Sequence, residues 1–172
     1  MISLLADDDT ALLTAVTEMV NQVYAESEEG LWQAGAARTT VGEVTVLAHL
    51  GELVVDMLDG ELAGVVRVHQ IDAHTGEIAM LAADPRRRGQ GIGRDLVRWA
   101  ESACRARGDR TMRLELLVPR EFTLDSKEFL HGWYTRMGYA VQRTGQFEEE
   151  YPQLAPMLAT PVDYRIYEKP LR

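Results

Sequence analysis

Apolar positions along the chain follow two periods, and the changes between them mark out the elements. Leu12, Val16, Met19, Val20 and Val23 recur at helical spacing behind Asp9, which can cap the first turn. Thr40 can cap a second, shorter helix through Val44, Leu47 and Ala48. Two β-rich runs, Leu53–Leu58 and Leu62–Val68, flank Asp59-Gly60, a strong hairpin signal. A turn at Ala73–Gly76 leads into a strand at Glu77–Ala83. The spacing then predicts a helix from about Gly91 to Arg107, with Ile92, Leu96, Ala100, Ala103 and Cys104 inward and Gly108 as C-cap. Met112, Leu114, Leu116 and Val118 alternate in a strand ended by Pro119. Asp125-x-x-Glu128 has capping-box spacing, and Phe129, Leu130, Trp133, Tyr134 and Met137 form a helix face stopped by Gly138. Tyr139–Arg143 and Asp163–Glu168 read as final strands around an irregular, proline-bearing segment, Phe147–Pro161.

The order is helix, helix, three strands, helix, strand, helix, two strands. This is an α/β (α+β) chain with a mixed, mostly antiparallel sheet of about six or seven strands flanked by helices. A helical crossover makes one parallel pair, Glu77–Ala83 with Met112–Val118. A length of 172 residues suits one domain, residues 1–172, with one sizeable core.

Charged residues make up 26% and hydrophobic ones 46%, the balance of a soluble globular protein. Apolar Met1–Ala6 is short for a signal peptide and runs into Asp7-Asp8-Asp9, so a cytoplasmic location is expected. The single cysteine, Cys104, lies on a helix's apolar side and reads as a buried small hydrophobe rather than a nucleophile. The four histidines, His49, His69, His74 and His131, lack metal-ligand spacing, and no metal is expected. A net charge of −9 disfavours nucleic acid as a partner. Positive charge is nonetheless clustered: Arg86, Arg87, Arg88, Arg94, Arg98, Arg105 and Arg107 follow one another closely. Such a patch on an acidic protein fits a small, multiply phosphorylated ligand. Arg88 and Arg94 flank the glycines and take that role; Arg98 and Arg105 are expected to pair with Glu101 on an exposed helix face.

The segment between the strand and the third helix has the layout of a pyrophosphate site, with free backbone N–H groups at the positive end of a helix dipole. A Walker loop is excluded, because no Lys-Ser/Thr follows Gly93. A dinucleotide fingerprint is incomplete: its third glycine would fall at Arg94 or Leu96. The pattern present is Arg-x-x-Gly-x-Gly, Arg88-Gly89-Gln90-Gly91-Ile92-Gly93, preceded by Leu81-Ala82-Ala83-Asp84-Pro85. A glycine-rich surface turn with solvated arginines is the alternative.

This pattern resembles the acyl-coenzyme A site of the GCN5-related N-acetyltransferases, the GNAT superfamily. The preceding stretch is similar to that family's Leu-x-Val-x-Pro strand end, with Ala83 in place of the valine, and Trp133-Tyr134-Thr135-Arg136-Met137-Gly138-Tyr139 resembles its aromatic-Tyr-x-x-x-Gly-aromatic signature. The resemblance covers nearly the whole chain and is sharpest over residues 77–97 and 129–139. It implies a bulged fourth strand splayed from the fifth, at which Leu81, Ala82 and Ala83 hold the pantetheine arm. Arg88, Gly89, Gln90, Gly91, Ile92, Gly93 and Arg94 would hold the phosphates. The family often has an asparagine about two turns upstream of the tyrosine, where this chain has Ser126-Lys127-Glu128.

Acyl transfer to an amine needs a base, because an alkylammonium has a pKa near ~10.4. It also needs donors for the developing oxyanion and a proton donor for the thiolate. The resemblance implies Glu77 as base, the alternative being an ordinary strand-end carboxylate; Glu115, by its place on the neighbouring strand, is a second candidate. The resemblance also implies Tyr134 as proton donor, the alternative being a core tyrosine. No activated nucleophile is evident, so direct attack in a ternary complex is expected. The expected activity is acetyl transfer from acetyl-CoA, as co-substrate, to a primary amine, on a small molecule or a protein. A non-catalytic CoA-binding sensor or interaction module is the other class. A homodimer is compatible with the reading, and no membrane partner is expected. Glu26, Glu28 and Glu29, with Glu148, Glu149 and Glu150, read as solvated acidic surface or as attraction for a cationic amine.

Overall fold

The computed structural model describes residues 1–172. Seven strands form one sheet: β1 Ile2–Leu4, β2 Leu53–Leu58, β3 Glu61–Asp72, β4 Thr75–Ala83, β5 Thr111–Pro119, β6 Ala140–Gln146 and β7 Val162–Pro170. The helices are α1 Thr10–Ser27, α2 Val41–His49, α3 Ile92–Arg107, α4 Asp125–Arg136 and the single turn α5 Phe147–Glu150. Strand order is β1-β2-β3-β4-β5-β7-β6, and only β4 and β5 are parallel. This is the expected mixed sheet with its one parallel pair.

Local chemistry sets most boundaries. The Asp9 side chain accepts from the Leu12 N–H, and Thr40 with Glu43 completes a capping box at α2. Asp59 and Gly60 both have positive φ, +55° and +81°, as a tight hairpin turn requires. Gly108 (φ +103°) ends α3, and Gly138 (φ +94°) follows α4.

The helices divide over the two faces. Leu13, Val16 and Val20 of α1 and Val44 of α2 bury against Val55, Val65, Met80 and Ala82. Ile92, Leu96, Ala100 and Cys104 of α3, with Tyr134 of α4, bury against Val66, Ile78, Met112 and Leu114 on the other face. Burial pushes the Cys104 thiol up to about 11, consistent with a packing role.

Several expectations are corrected. The first residues form β1, which runs antiparallel to β2 with Leu4 opposite Val54, whereas the sequence suggested no strand there. The capping box at Asp125 does not form: Leu124 is the N-cap and makes no side-chain bond, so Asp125 and Glu128 act on the helix dipole instead. Phe129 is 57% exposed and lies off the inward face of α4. Glu101 is buried rather than paired with Arg98 and Arg105; it accepts from Lys169 at 2.8 Å and from the Tyr139 hydroxyl at 2.9 Å. The 147–161 segment holds α5 and a 3-10 turn at Ala155–Met157.

Glu28 is not solvated either. Its carboxylate is 2.8 Å from the Lys127 Nζ, with side-chain exposures of 7% and 3%, and it accepts from the Trp32 indole at 2.6 Å. Ser126 donates to the Ser27 carbonyl at 2.6 Å, so the start of α4 is clamped to the end of α1. Thus Ser126 and Lys127, which stand where the resemblance implies an asparagine, are committed to this clamp. Breaking a buried pair leaves one charge uncompensated, so Lys127→Ala is expected to cost ~3–5 kcal/mol. A lowered urea midpoint checks this, with Arg98→Ala on the exposed side of α3 as the unchanged control.

Candidate active site

β4 and β5 run side by side only at their starts. Their pairing covers Thr75–Ile78 against Thr111–Leu114 and then stops. β5 stays with β7 to Pro119, while β4 follows β3 to the Gly64–Ala83 pair. The β3–β4 register shifts between Val65 and Arg67, and Met80 in that shift has φ +48°. A left-handed conformation costs a residue with a side chain roughly 1–2 kcal/mol. The bulge also resets the alternation: Ile78 faces the α3 core, whereas Met80 and Ala82 face α1. Leu81 and Ala83 stay half-buried against the α3 side. Beyond Ile78, β4 has an edge with no β5 partner, open to an extended arm that pairs as a strand would.

The glycine loop follows. Asp84 accepts from the Arg86 backbone at 2.9 Å and its guanidinium at 2.8 Å, and Arg87 meets Glu61 at 2.8 Å. These two arginines are therefore tied to the protein, while Arg88 is exposed and outside every ion pair. Gly89 and Gly91 have φ of +83° and +84°. Gly91 is the N-cap of α3 and supplies no side chain, so the helix's first N–H groups face out of the loop. Arg94 folds back over Gly91, its Nη2 2.8 Å from where a Cβ would stand. Gln90 is exposed and Gly93 half-buried, while the Ile92 side chain is buried in the core, leaving its backbone to the loop. The helix sits close because Gly64 of β3 has no side chain: a Cβ there would come within 2.7 Å of Ile92 and 2.9 Å of Leu96.

Glu77 stands at the vertex, paired with His69 on one side and Arg113 on the other. Its Oε2 is 3.1 Å from the Arg113 Nε, but that N–H is not aimed at the oxygen, so the contact is an ion pair without a hydrogen bond. Its Oε1 is 3.5 Å from the His69 Nε2. Burial, then the nearby Glu115 charge, pushes the Glu77 carboxyl up to about 7, against the opposing pull of Arg113. Burial also pushes the His69 imidazole down, and its Nδ1 has no hydrogen-bond partner. Glu115 is held differently: it accepts from the Tyr151 hydroxyl at 3.1 Å and more closely from Tyr164 and Arg113.

Tyr134 is 6% exposed and meets Trp133, Tyr139 and Tyr167 with ring centroids 4.9, 5.8 and 6.3 Å apart. Burial pushes its hydroxyl up, and the nearby Tyr24 and Tyr167 add to the shift. Trp133 lies 3.7 Å from the Cβ position of Gly93, which brings α4 beside the glycine loop. Tyr24 comes from α1: the Leu81 N–H is directed to its hydroxyl, burial pushes that hydroxyl up to about 12, and Arg38 lies 5.1 Å over its ring.

Sequence reasoning missed Tyr24, His69, Arg113, Tyr151 and Tyr164. Period-two alternation puts Arg113 and Glu115 on one strand face, but only the register of β3 against β4 brings His69 to Glu77.

The splayed pair, the bulge and the glycine loop together leave a free strand edge leading to exposed backbone N–H groups at a helix start. The chain matches the Acetyltransferase (GNAT) family over residues 17–139, and it belongs to that family. It is similar to a mycothiol acetyltransferase of Beutenbergia cavernae, 34% identical over 115 residues that cover 67% of this chain and 38% of that protein. The chain thus spans well under half the length of that relative. In fold it is similar to an aminoglycoside 6'-N-acetyltransferase complexed with coenzyme A, with a TM-score of 0.74 at 17% identity over 100% of this chain and 97% of that one. It is likewise similar to a Salmonella typhimurium protein solved with its cofactor acetyl-CoA, with a TM-score of 0.71 at 14% identity over 100% and 94% of the two chains.

Proposed function

We propose that this chain transfers an acetyl group from acetyl-CoA to a primary amine by direct attack in a ternary complex, as a single domain. The observation that carries the proposal is the parting of β4 from β5 beside a carboxyl group poised near neutrality. The pantetheine arm pairs with the free edge of β4 at Leu81, Ala82 and Ala83. The phosphates meet the N–H groups of Gly89–Arg94, with Arg88 and Arg94 beside them. Glu77 takes the proton from the ammonium, directly or through water, and the amine attacks the thioester. A backbone N–H of the Leu81–Ala83 stretch serves the oxyanion. Tyr134 donates a hydrogen bond to the departing sulfur. Because burial holds its proton so firmly, full transfer to a thiolate with a pKa near ~8.5 is uphill, so Tyr134 keeps its proton and the sulfur takes the second proton that the attacking nitrogen loses as the tetrahedral intermediate collapses, giving the CoA thiol. No helix is long and apolar enough to cross a membrane. The reading includes a cytoplasmic location, since a polyphosphorylated co-substrate does not cross membranes unaided.

An acetyl-CoA consumption assay across an amine panel tests the activity, and Glu77→Gln tests the base. Only the carboxylate form accepts a proton, so wild-type kcat/KM should fall as pH drops through about 7. In Glu77→Gln that limb should vanish, and the loss of kcat should be greater at pH 7 than at pH 9, where free amine is already abundant. An unchanged limb would assign the proton to Glu115, another group or water. Stability carries a matching signature. Folded Glu77 keeps its proton to higher pH than the unfolded chain, so its contribution to stability falls as pH rises from ~4.3 towards 7. The melting temperature of Glu77→Gln relative to wild type should therefore be higher at pH 8 than at pH 5.

A further inference from the structure

We infer that the acceptor is a small amine carrying an anionic group, carboxylate or phosphate, near its amino group, and that Arg38 is the ligand of that group. The inference rests on the acetyl-transfer reading and concerns the acceptor side of the same site.

A pocket of about 460 Å³ lies between the start of α2 and the β3–β4 bulge, with Arg38, Arg67 and Met80 among its walls. That volume suits a small molecule. Met80 is the bulge residue itself, so the pocket meets β4 where the thioester would lie. A larger groove of about 610 Å³ runs between α1 and Asp84–Arg86, but Glu77 and the bulge residue Met80 are not among its walls.

The pocket holds cationic charge at a useful distance from the base. Arg67 stands opposite Ala79, and His69 opposite Glu77, so Arg67 and Glu77 share a sheet face, offset by two residues or roughly 7 Å. Arg67 gives its Nε and Nη2 to Glu52, at 2.8 and 2.7 Å, which leaves Nη1. Arg38 forms no ion pair with any carboxylate of the chain; it lies over the Tyr24 ring and its guanidinium is also directed to the Tyr24 hydroxyl. Its neighbour Thr39 exchanges two 3.0 Å hydrogen bonds with Asn21 of α1, which anchors this stretch of backbone. The remaining charge on the pocket wall, Glu43, spends Oε2 on the Thr40 N–H and the Thr39 hydroxyl. Arg38 is therefore the arginine of the pocket that no carboxylate neutralises, and its planar fork has donors to spare for carboxylate or phosphate.

The two long loops are joined to each other. Trp32 bridges Leu158, Gln33 N donates to Met157 O at 2.8 Å, and Ala159 N donates to Leu31 O at 2.9 Å. Trp32 also meets Phe147 edge-on, with centroids 5.7 Å apart. This junction lies outside the walls of the pocket, and the acceptor's small size rests on the pocket's volume of about 460 Å³.

The test is steady-state kinetics at saturating acetyl-CoA with wild type, Arg38→Gln and Arg38→Lys. The probes are α-amino acids and O-phosphoethanolamine for the two anions, phenethylamine and ethanolamine as counterparts lacking them, and a lysine-containing peptide. We expect the anionic probes to be preferred, and the better anion to identify the source. Arg38→Gln should raise their KM at least about tenfold with kcat little changed, while the KM of phenethylamine and the affinity for CoA stay constant. Arg38→Lys should recover part of the loss. Better turnover of the probes without an anion or of the peptide, an unchanged KM in Arg38→Gln, or acetyl-CoA binding without turnover of any anionic probe overturns the inference. Failure of the wild type to bind acetyl-CoA would count instead against the activity on which it rests.

Discussion

Gly91→Asp is expected to abolish measurable CoA binding by calorimetry while leaving the protein folded. Gly91 has φ +84° and is the N-cap of α3. Aspartate tolerates that region better than most residues and caps helices well, so α3 should survive the change. The carboxylate, however, would satisfy the N–H groups that otherwise face the phosphates, and it adds negative charge where they would sit. Two like charges ~4 Å apart at an effective dielectric near 20 repel by about 4 kcal/mol, or roughly three orders of magnitude in affinity. Wild-type affinity in a folded Gly91→Asp protein would remove the glycine loop from CoA binding.

Tyr134→Phe is expected to lower kcat by roughly 10²-fold with little change in CoA affinity. The ring is buried among Trp133, Tyr139 and Tyr167, and phenylalanine preserves that packing. The hydroxyl has no hydrogen-bond partner in the protein that stabilises the fold, so its removal should move the melting temperature little. A core role predicts near-normal turnover with the same small change in melting temperature, so kcat decides between the two and the melting temperature shows that the fold is intact.

The parts of this site that were legible in the sequence are those written in local chemistry. Gly89 and Gly91 adopt backbone angles that disfavour side chains, Asp59-Gly60 makes the turn, and alternation located β4 and β5. β1 was not legible, because three residues are too few to display a period; the fold instead anchors the amino terminus at Asp56, 3.0 Å away. The Asp125 capping box failed by a single residue: Asp125 lies inside the helix, where its side chain cannot reach back. The buried ion pairs were invisible for a different reason. Glu28 and Lys127 are 99 residues apart, and Glu101 and Lys169 are 68 apart. A carboxylate between solvated neighbours looks the same in sequence whether or not a distant lysine will cover it. The electrostatics of Glu77 are likewise a property of register, since His69 and Arg113 reach it from two other strands.

Gly64 gives the cofactor loop a remote point of leverage. The residue lies on β3, outside the glycine loop, yet the missing side chain lets Ile92 and Leu96 rest on the strand. A single methyl at this position would act as a shim under the leading end of a rod roughly 24 Å long. It would tip the rod, and the N–H groups at its tip would swing away from where the phosphates are proposed to sit. An alanine at residue 64 would thus loosen the grip on CoA from beneath, with every residue of the loop unaltered, and geometry rather than contact would be the cause.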